Sequence, residues 1–285
     1  MLLSGLDLSV PGDFPADRVS GKLSRGGAIF RLSPFPCLVL LVILVFAPLS
    51  AAVAAGDAED ARALMRRIDA LWRGNSAQAT ITMAVTTRRY SRTITMESWS
   101  QGKDQALLKI LAPKKDRGIA TLRVDKNIWN FLPKINRVTK IPPSMMMGSW
   151  MGSHFTNDDL VKESSYEEDY TSSITFNGER EGRGIYEVTA LPREDAVVVW
   201  GKVVMEIEKE RLIPIRALYY DEDGDLAREM RFEDPRPVGD RIVPLRLVLT
   251  PSDKPGESTT VTYESIRFDV KIPGGLFSLR GLRNQ

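Results

Sequence analysis

From Ile81 onward the chain repeatedly places apolar side chains two residues apart. A first series runs Ile81-x-Met83-x-Val85, Ile94-x-Met96-x-Ser98, Leu108-x-Ile110, Ile119-x-Thr121 and Trp129-x-Phe131. A second runs Tyr186-x-Val188-x-Ala190, Val203-x-Met205-x-Ile207, Ile215-x-Ala217-x-Tyr219, Met230-x-Phe232, Val243-x-Leu245-x-Leu247-x-Leu249 and Val261-x-Tyr263. Period two is the repeat of a pleated strand with one covered face. Turn residues such as Gln101-Gly102-Lys103, Asp221-Glu222-Asp223-Gly224-Asp225 and Pro251 to Gly256 separate the runs at hairpin spacing. With no room for crossover helices, the strands must pair antiparallel. The expected fold class is therefore mainly β, a curved antiparallel sheet of about eleven strands, because a sheet of that size curls rather than lying flat. Its concave side would be lined by Ile, Val, Leu, Met and aromatic residues. That side is either a packed core or a hydrophobic cavity, and the pattern does not separate the two.

Two segments read as helices instead. Asp57 to Arg73 puts Ala61, Leu64, Ile68, Leu71 and Trp72 on one stripe, with acids in the first turn and Gly74 as a stop. A shorter one is expected near Asn157 to Glu163. Either could lie over the concave face as a lid.

Ahead of these elements, Cys37 to Ala47 is an unbroken apolar run of eleven residues, too short to cross a bilayer core, which needs roughly 20. Arg18, Lys22, Arg25 and Arg31 precede it, and Ala52-Val53-Ala54 follows it as an A-x-A site. These are the zones of a cleavable signal peptide. Residues 1–54 are expected to be that signal, cleaved near Ala54 or Ala55, and residues 55–285 a single exported domain. The competing reading is an uncleaved anchor. The long stretch before the apolar run fits a translation start downstream of Met1. Removing residues 1–54 takes four bases and three acids from totals of 39 and 37, so the mature chain is near neutral. It also loses Cys37, the one cysteine, and must hold together without disulfides.

Little here could build a catalytic site. There is one histidine, His154, and no Gly-x-Ser-x-Gly elbow, phosphate loop or clustered metal-ligand spacing. His154 reads as a capping or surface residue. The acids of Glu167-Glu168-Asp169 and Asp221 to Asp225 could in principle serve a glycosidase, but both runs lie in turn-like segments, where solvated charge or weak calcium contact is the default. No enzyme, no metal and no cofactor is expected.

The positive signal is Ser144-Met145-Met146-Met147-Gly148-Ser149-Trp150-Met151-Gly152-Ser153, a loop preceded by Pro142-Pro143. Methionine is flexible and polarizable, and Met-rich mobile surfaces suit apolar ligands of variable shape. The segment is either a movable lid or a plug that completes the core. Just upstream, Lys109, Lys114, Lys115, Arg117, Lys134, Arg137 and Lys140 make a local positive field. It is either a solvated strand face or a docking surface for an acidic partner or anionic headgroups. Sparse aromatic interleaving and export argue against nucleic acid.

Gly118-Ile119-Ala120-Thr121-Leu122, Asn127-Ile128-Trp129-Asn130-Phe131-Leu132-Pro133-Lys134, Arg137-Val138-x-Lys140-Ile141, Ser149-Trp150-Met151-Gly152-Ser153-x-Phe155-Thr156-Asn157-Asp158-Asp159-Leu160 and the closing Leu276 to Leu282 together resemble the outer-membrane lipoprotein-sorting branch of the LolA-like superfamily. The resemblance covers essentially the whole mature chain. It implies an incomplete (half) β-barrel with lid helices over a hydrophobic cavity, and a periplasmic protein that shields acyl chains. On that footing the expected cavity and lid residues are Met145, Met146, Met147, Trp150, Met151, Phe155, Trp129, Phe131 and Leu160. The expected partner- or headgroup-docking residues are Lys114, Lys115, Arg117, Lys134, Arg137 and Lys140. Expected partners are lipoprotein acyl chains or phospholipid-like lipids, an inner-membrane permease or exporter, and an outer-membrane acceptor. The alternative is a periplasmic sensor of lipids or lipoproteins that binds a membrane signalling partner.

Overall fold

The computed structural model describes residues 60–71, 74–162, 169–194, 196 and 198–283. The segment expected to be a signal peptide (residues 1–54), Trp72, and Glu167 and Glu168 lie outside them. Helix α1 (residues 60–71) comes first. Six strands then follow as consecutive hairpins: β1 (Ser76–Thr86), β2 (Ser91–Gln101), β3 (Gln105–Ala112), β4 (Ala120–Val124), β5 (Asn127–Leu132) and β6 (Arg137–Lys140). The chain leaves the sheet after Lys140, forms α2 (Asp159–Lys162) and re-enters at β7 (Tyr170–Arg180). The return meander is β8 (Arg183–Pro192), β9 (Lys202–Glu208), β10 (Ile213–Tyr220), β11 (Leu226–Val238), β12 (Arg241–Pro251) and β13 (Ser258–Phe268), and α3 (Leu279–Arg283) closes the described chain.

All thirteen strands form one antiparallel sheet in the order β6-β5-β4-β3-β2-β1-β13-β12-β11-β10-β9-β8-β7. It is curved and not closed into a barrel, with β6 and β7 as its two edges. The expectation of an incomplete antiparallel barrel holds, with two strands more than alternation revealed. The added strands are the two edges. β6 is four residues with only Val138 half-buried, and β7 carries Thr, Ser and Asn where inner strands carry Val or Ile. An edge has a neighbour on one side only, and polar residues there discourage pairing with other chains.

Register decides the faces. Ile81 stands opposite Met96 and Tyr263, Met83 opposite Ile94 and Val261, and Leu247 opposite Val261 and Phe232. Continued through Met230, Ala217, Met205 and Val188, this parity makes one concave apolar face running from β2 to β8. Helix α1 covers part of it, setting Ala61, Leu64 and Ile68 against Val188 and Ile207. In β4 and β5 the apolar parity is reversed. Ala120, Leu122, Trp129 and Phe131 lie on the outer face with Leu107, covered by Leu276, Phe277 and Leu282 of the C-terminal segment.

Candidate functional site

The segment between β6 and α2 lies across the concave face. Trp150 is only 5% exposed and packs among Val85, Ile94, Met96 and Ile110, with Met151 and Leu160 beside it. Phe155 packs on the neighbouring cluster of Ala217, Tyr219, Met230 and Leu249. The segment therefore bridges the two apolar halves of the face.

Its internal bonds make it a body of its own. Trp150 N–H donates to the Phe155 carbonyl at 2.7 Å, Asn157 N–H to the Gly148 carbonyl at 3.0 Å and Asp158 N–H to the Met146 carbonyl at 2.8 Å. The Asn157 side-chain amide donates to the carbonyls of Met145 and Gly148. Thr156 and Asp159 cap each other, each side chain accepting from the other's backbone N–H. Thr156 is thus the cap of the short helix expected near Asn157.

A handful of side chains tie this body to the sheet. The Tyr90 hydroxyl donates to the Gly152 carbonyl at 2.6 Å, Arg92 donates to the Met151 carbonyl at 3.3 Å, and Trp150 Nε1 donates to the Thr121 hydroxyl at 3.2 Å. Gly152 has φ +70, and a β-carbon there would meet the Tyr90 hydroxyl at 3.2 Å, so a side chain would strain this contact. Arg228, an inward-facing position of β11, grips both Asp159 oxygens at 2.8 and 2.6 Å while lying 4.3 Å over the Trp200 and Tyr219 rings. A planar guanidinium suits both a carboxylate fork and an aromatic face.

His154 is neither a cap nor a surface residue. Its backbone N–H donates to the Thr259 hydroxyl at 3.1 Å, Nδ1 lies 2.8 Å from that hydroxyl, and Nε2 lies 3.1 Å from Glu257 Oε2. The backbone N–H of Arg88 and then the His154 contact hold the Glu257 carboxyl below its ordinary range. Thr–His–Glu is the order of a hydrolytic triad. Here, however, Thr259 is 0% exposed and its hydroxyl already accepts from His154 N–H, so the arrangement clamps the segment rather than presenting a nucleophile. Among the described residues, no group of three or more His, Cys, Asp or Glu could hold a metal ion.

A cleft of about 370 Å³ opens where this segment meets the rim, lined among others by Tyr90, Met147, His154, Phe155, Trp200 and Glu257. Behind it Tyr170 donates its hydroxyl to the Trp200 carbonyl, and burial raises its pKa. Of the lid residues expected from sequence, Trp150, Met151, Phe155 and Leu160 come together on the concave face. Met146 is half-buried, whereas Met145 and Met147 are 55% and 54% exposed. Trp129 and Phe131 are not part of this group. They sit on the outer face under Leu282, because pairing with Leu122 and Ala120 sets their parity. The expected docking residues Lys114, Lys115, Arg117, Lys134, Arg137 and Lys140 are all exposed. Lys140, 5.7 Å from the Trp129 ring, stands at the other end of β6 from the rest. Sequence reasoning missed Arg228 and Thr259, although the spacing Arg228-x-Met230-x-Phe232 marks Arg228 as a charge on an inward parity.

A family model described only as an uncharacterized protein matches residues 102–284. No curated protein matches the sequence. Among solved structures, a DUF1329 family protein from Desulfovibrio piger superposes with a TM-score of 0.73 at 19% identity, over 79% of this chain and 99% of that one. A putative outer membrane lipoprotein-sorting protein domain from Vibrio parahaemolyticus superposes with a TM-score of 0.70 at 22% identity, again over 79% and 99%. A LolA superfamily protein from Nitrosomonas europaea gives 0.66 at 17% identity, over 78% and 98%. Likeness at these identities establishes the shared fold.

Proposed function

The chain belongs to the family matched over residues 102–284 and shares its fold with LolA-like proteins, and on that premise we propose that it is a carrier which takes acyl chains of lipoproteins or lipids onto its concave face. The observation that carries this reading is the lid. The segment covering the apolar face is bonded mainly to itself and tied to the sheet by few side chains, so it can leave as a unit and expose Ile81, Met83, Ile94 and Met96. An entering chain gains about 0.8 kcal/mol per buried methylene, but it does so by displacing Trp150, Phe155 and Leu160 from the same surface. That exchange keeps affinity moderate, as a protein that must hand its cargo on requires. Gate and plug are then one structure in two positions. Among the described residues no helix is long and apolar enough to cross a membrane. Export of residues 55–285 to the periplasm, and shuttling between an inner-membrane permease or exporter and an outer-membrane acceptor, complete the proposal.

The test is to tie the lid down. His154 touches the Thr259 hydroxyl through both its backbone N–H and its ring Nδ1, which makes the two positions the pair for a trial disulfide. In the His154→Cys/Thr259→Cys protein, oxidation is expected to slow uptake of a fluorescent fatty-acid probe at least tenfold, and reduction to restore it. The single-cysteine proteins serve as controls. Equal uptake by the bonded and reduced forms would overturn the lid reading.

A further inference from the structure

At the rim, the β3–β4 loop carries Lys114-Lys115-Asp116-Arg117-Gly118 and the β5–β6 turn carries Pro133-Lys134-Ile135-Asn136-Arg137. Antiparallel order puts both at the same end of the sheet. They also touch: Gly118 has φ +84, and a β-carbon on it would meet the Pro133 ring at 3.3 Å. The one acid of the loop, Asp116, is engaged by Arg92 at 3.0 Å, and Arg117 Nε donates to the Leu111 carbonyl. Lys114, Lys115, Lys134 and Arg137 are exposed, and among the described residues none of them pairs with a carboxylate. Between the last two stands Ile135. It is 63% exposed, more than any other large hydrophobic residue of the described chain. It is presented on a set scaffold, a 3-10 turn closed by Asn136 N–H donating to the Pro133 carbonyl, with Asn136 in the left-handed region at φ 48.

An aliphatic side chain held out into water and ringed by unpaired cations has a natural counterpart in the headgroup region of an anionic bilayer, which offers apolar depth and negative charge together. An acidic protein surface would meet the cations but would leave Ile135 without a place. We propose that this rim docks on anionic phospholipid, with Ile135 entering the headgroup layer and Lys114, Lys115, Lys134 and Arg137 lying against phosphates. Arg92 joins this surface to the lid, because the guanidinium that holds Asp116 also donates to the Met151 carbonyl. Docking therefore brings the lid to the bilayer from which an acyl chain would come.

Flotation with phosphatidylglycerol/phosphatidylcholine vesicles, against phosphatidylcholine alone, tests the proposal. Binding is expected only to the anionic vesicles and should weaken with salt. Ile135→Asp is expected to lower it at least tenfold, and each of Lys114→Ala, Lys134→Ala and Arg137→Ala by about fivefold. Arg183→Ala, at the exposed start of β8 at the far end of the sheet, should leave it unchanged. Thermal unfolding of each variant confirms that it is folded. Protein with the lid bonded shut through His154→Cys/Thr259→Cys should dock as well as wild type, which separates docking from acyl uptake. No binding to anionic vesicles, equal binding to both vesicle types, unaltered binding by folded Ile135→Asp, or use of these residues only for an acidic protein would each overturn the proposal.

Discussion

Arg228 and Asp159 form a bidentate tie between the sheet and the segment that covers its apolar face. Both guanidinium arms are used, and the arginine side chain is 6% exposed. Removing one partner of such a pair strands the other charge in a dry place, a cost of about 3 kcal/mol or more, whereas replacing both by apolar groups is often nearly neutral. Arg228→Met is therefore expected to lower stability by about 3 kcal/mol in thermal unfolding, and Arg228→Met/Asp159→Asn, which removes the second charge but keeps an oxygen for the Thr156 N–H, to recover most of that loss. The double variant should also take up a fatty-acid probe faster, since a lid anchor is gone. A double variant no more stable than Arg228→Met would mean that the pair does not act as a unit. Arg228 could have been found from strand parity alone. Its partner could not, because Asp159 lies in a segment with no strand periodicity to predict where it points.

The strands divide into those that sequence discloses and those that it hides. β1 to β3 and β8 to β13 show their inward residues at every second position because both neighbours and the lid or α1 demand it. The edges β6 and β7 are demanded by less and show less. α3 is also weakly marked, five residues of which Leu282 alone is buried. Leu282 is 0% exposed against Leu107, Leu122 and Phe131, so α3 acts as a clamp on the outer face of the β3–β6 end. Leu282→Ala is expected to cost about 3 kcal/mol. The loss of amide-exchange protection should be concentrated in β4, β5 and β6 and should spare β9 to β12. Uniform loss across the sheet would show that the two ends do not open separately.

For the whole molecule, the proposed movement of the covering segment as one body implies that a bound acyl chain changes side-chain surroundings without rebuilding the backbone. Far-ultraviolet circular dichroism should be β-dominated, with helix below about one third, and unchanged by a bound fatty acid. Tryptophan fluorescence should shift as Trp150 leaves the Thr121 hydroxyl, and Trp150→Phe should abolish that shift. A large change in circular dichroism on binding would point to unfolding of the lid instead. Strand content, antiparallel pairing and the apolar character of one face were determined by the sequence alone, since alternation is a property of residues two apart and hairpin spacing one of residues a few apart. What covers Trp129 and Phe131, and which groups pin the segment over the concave face, was decided only in three dimensions. Those outcomes depend on contacts such as His154 with Thr259 and Leu107 with Leu282, between residues more than a hundred positions apart. No period in the chain records them, because each is set by how the whole sheet curves and by what is left to cover it.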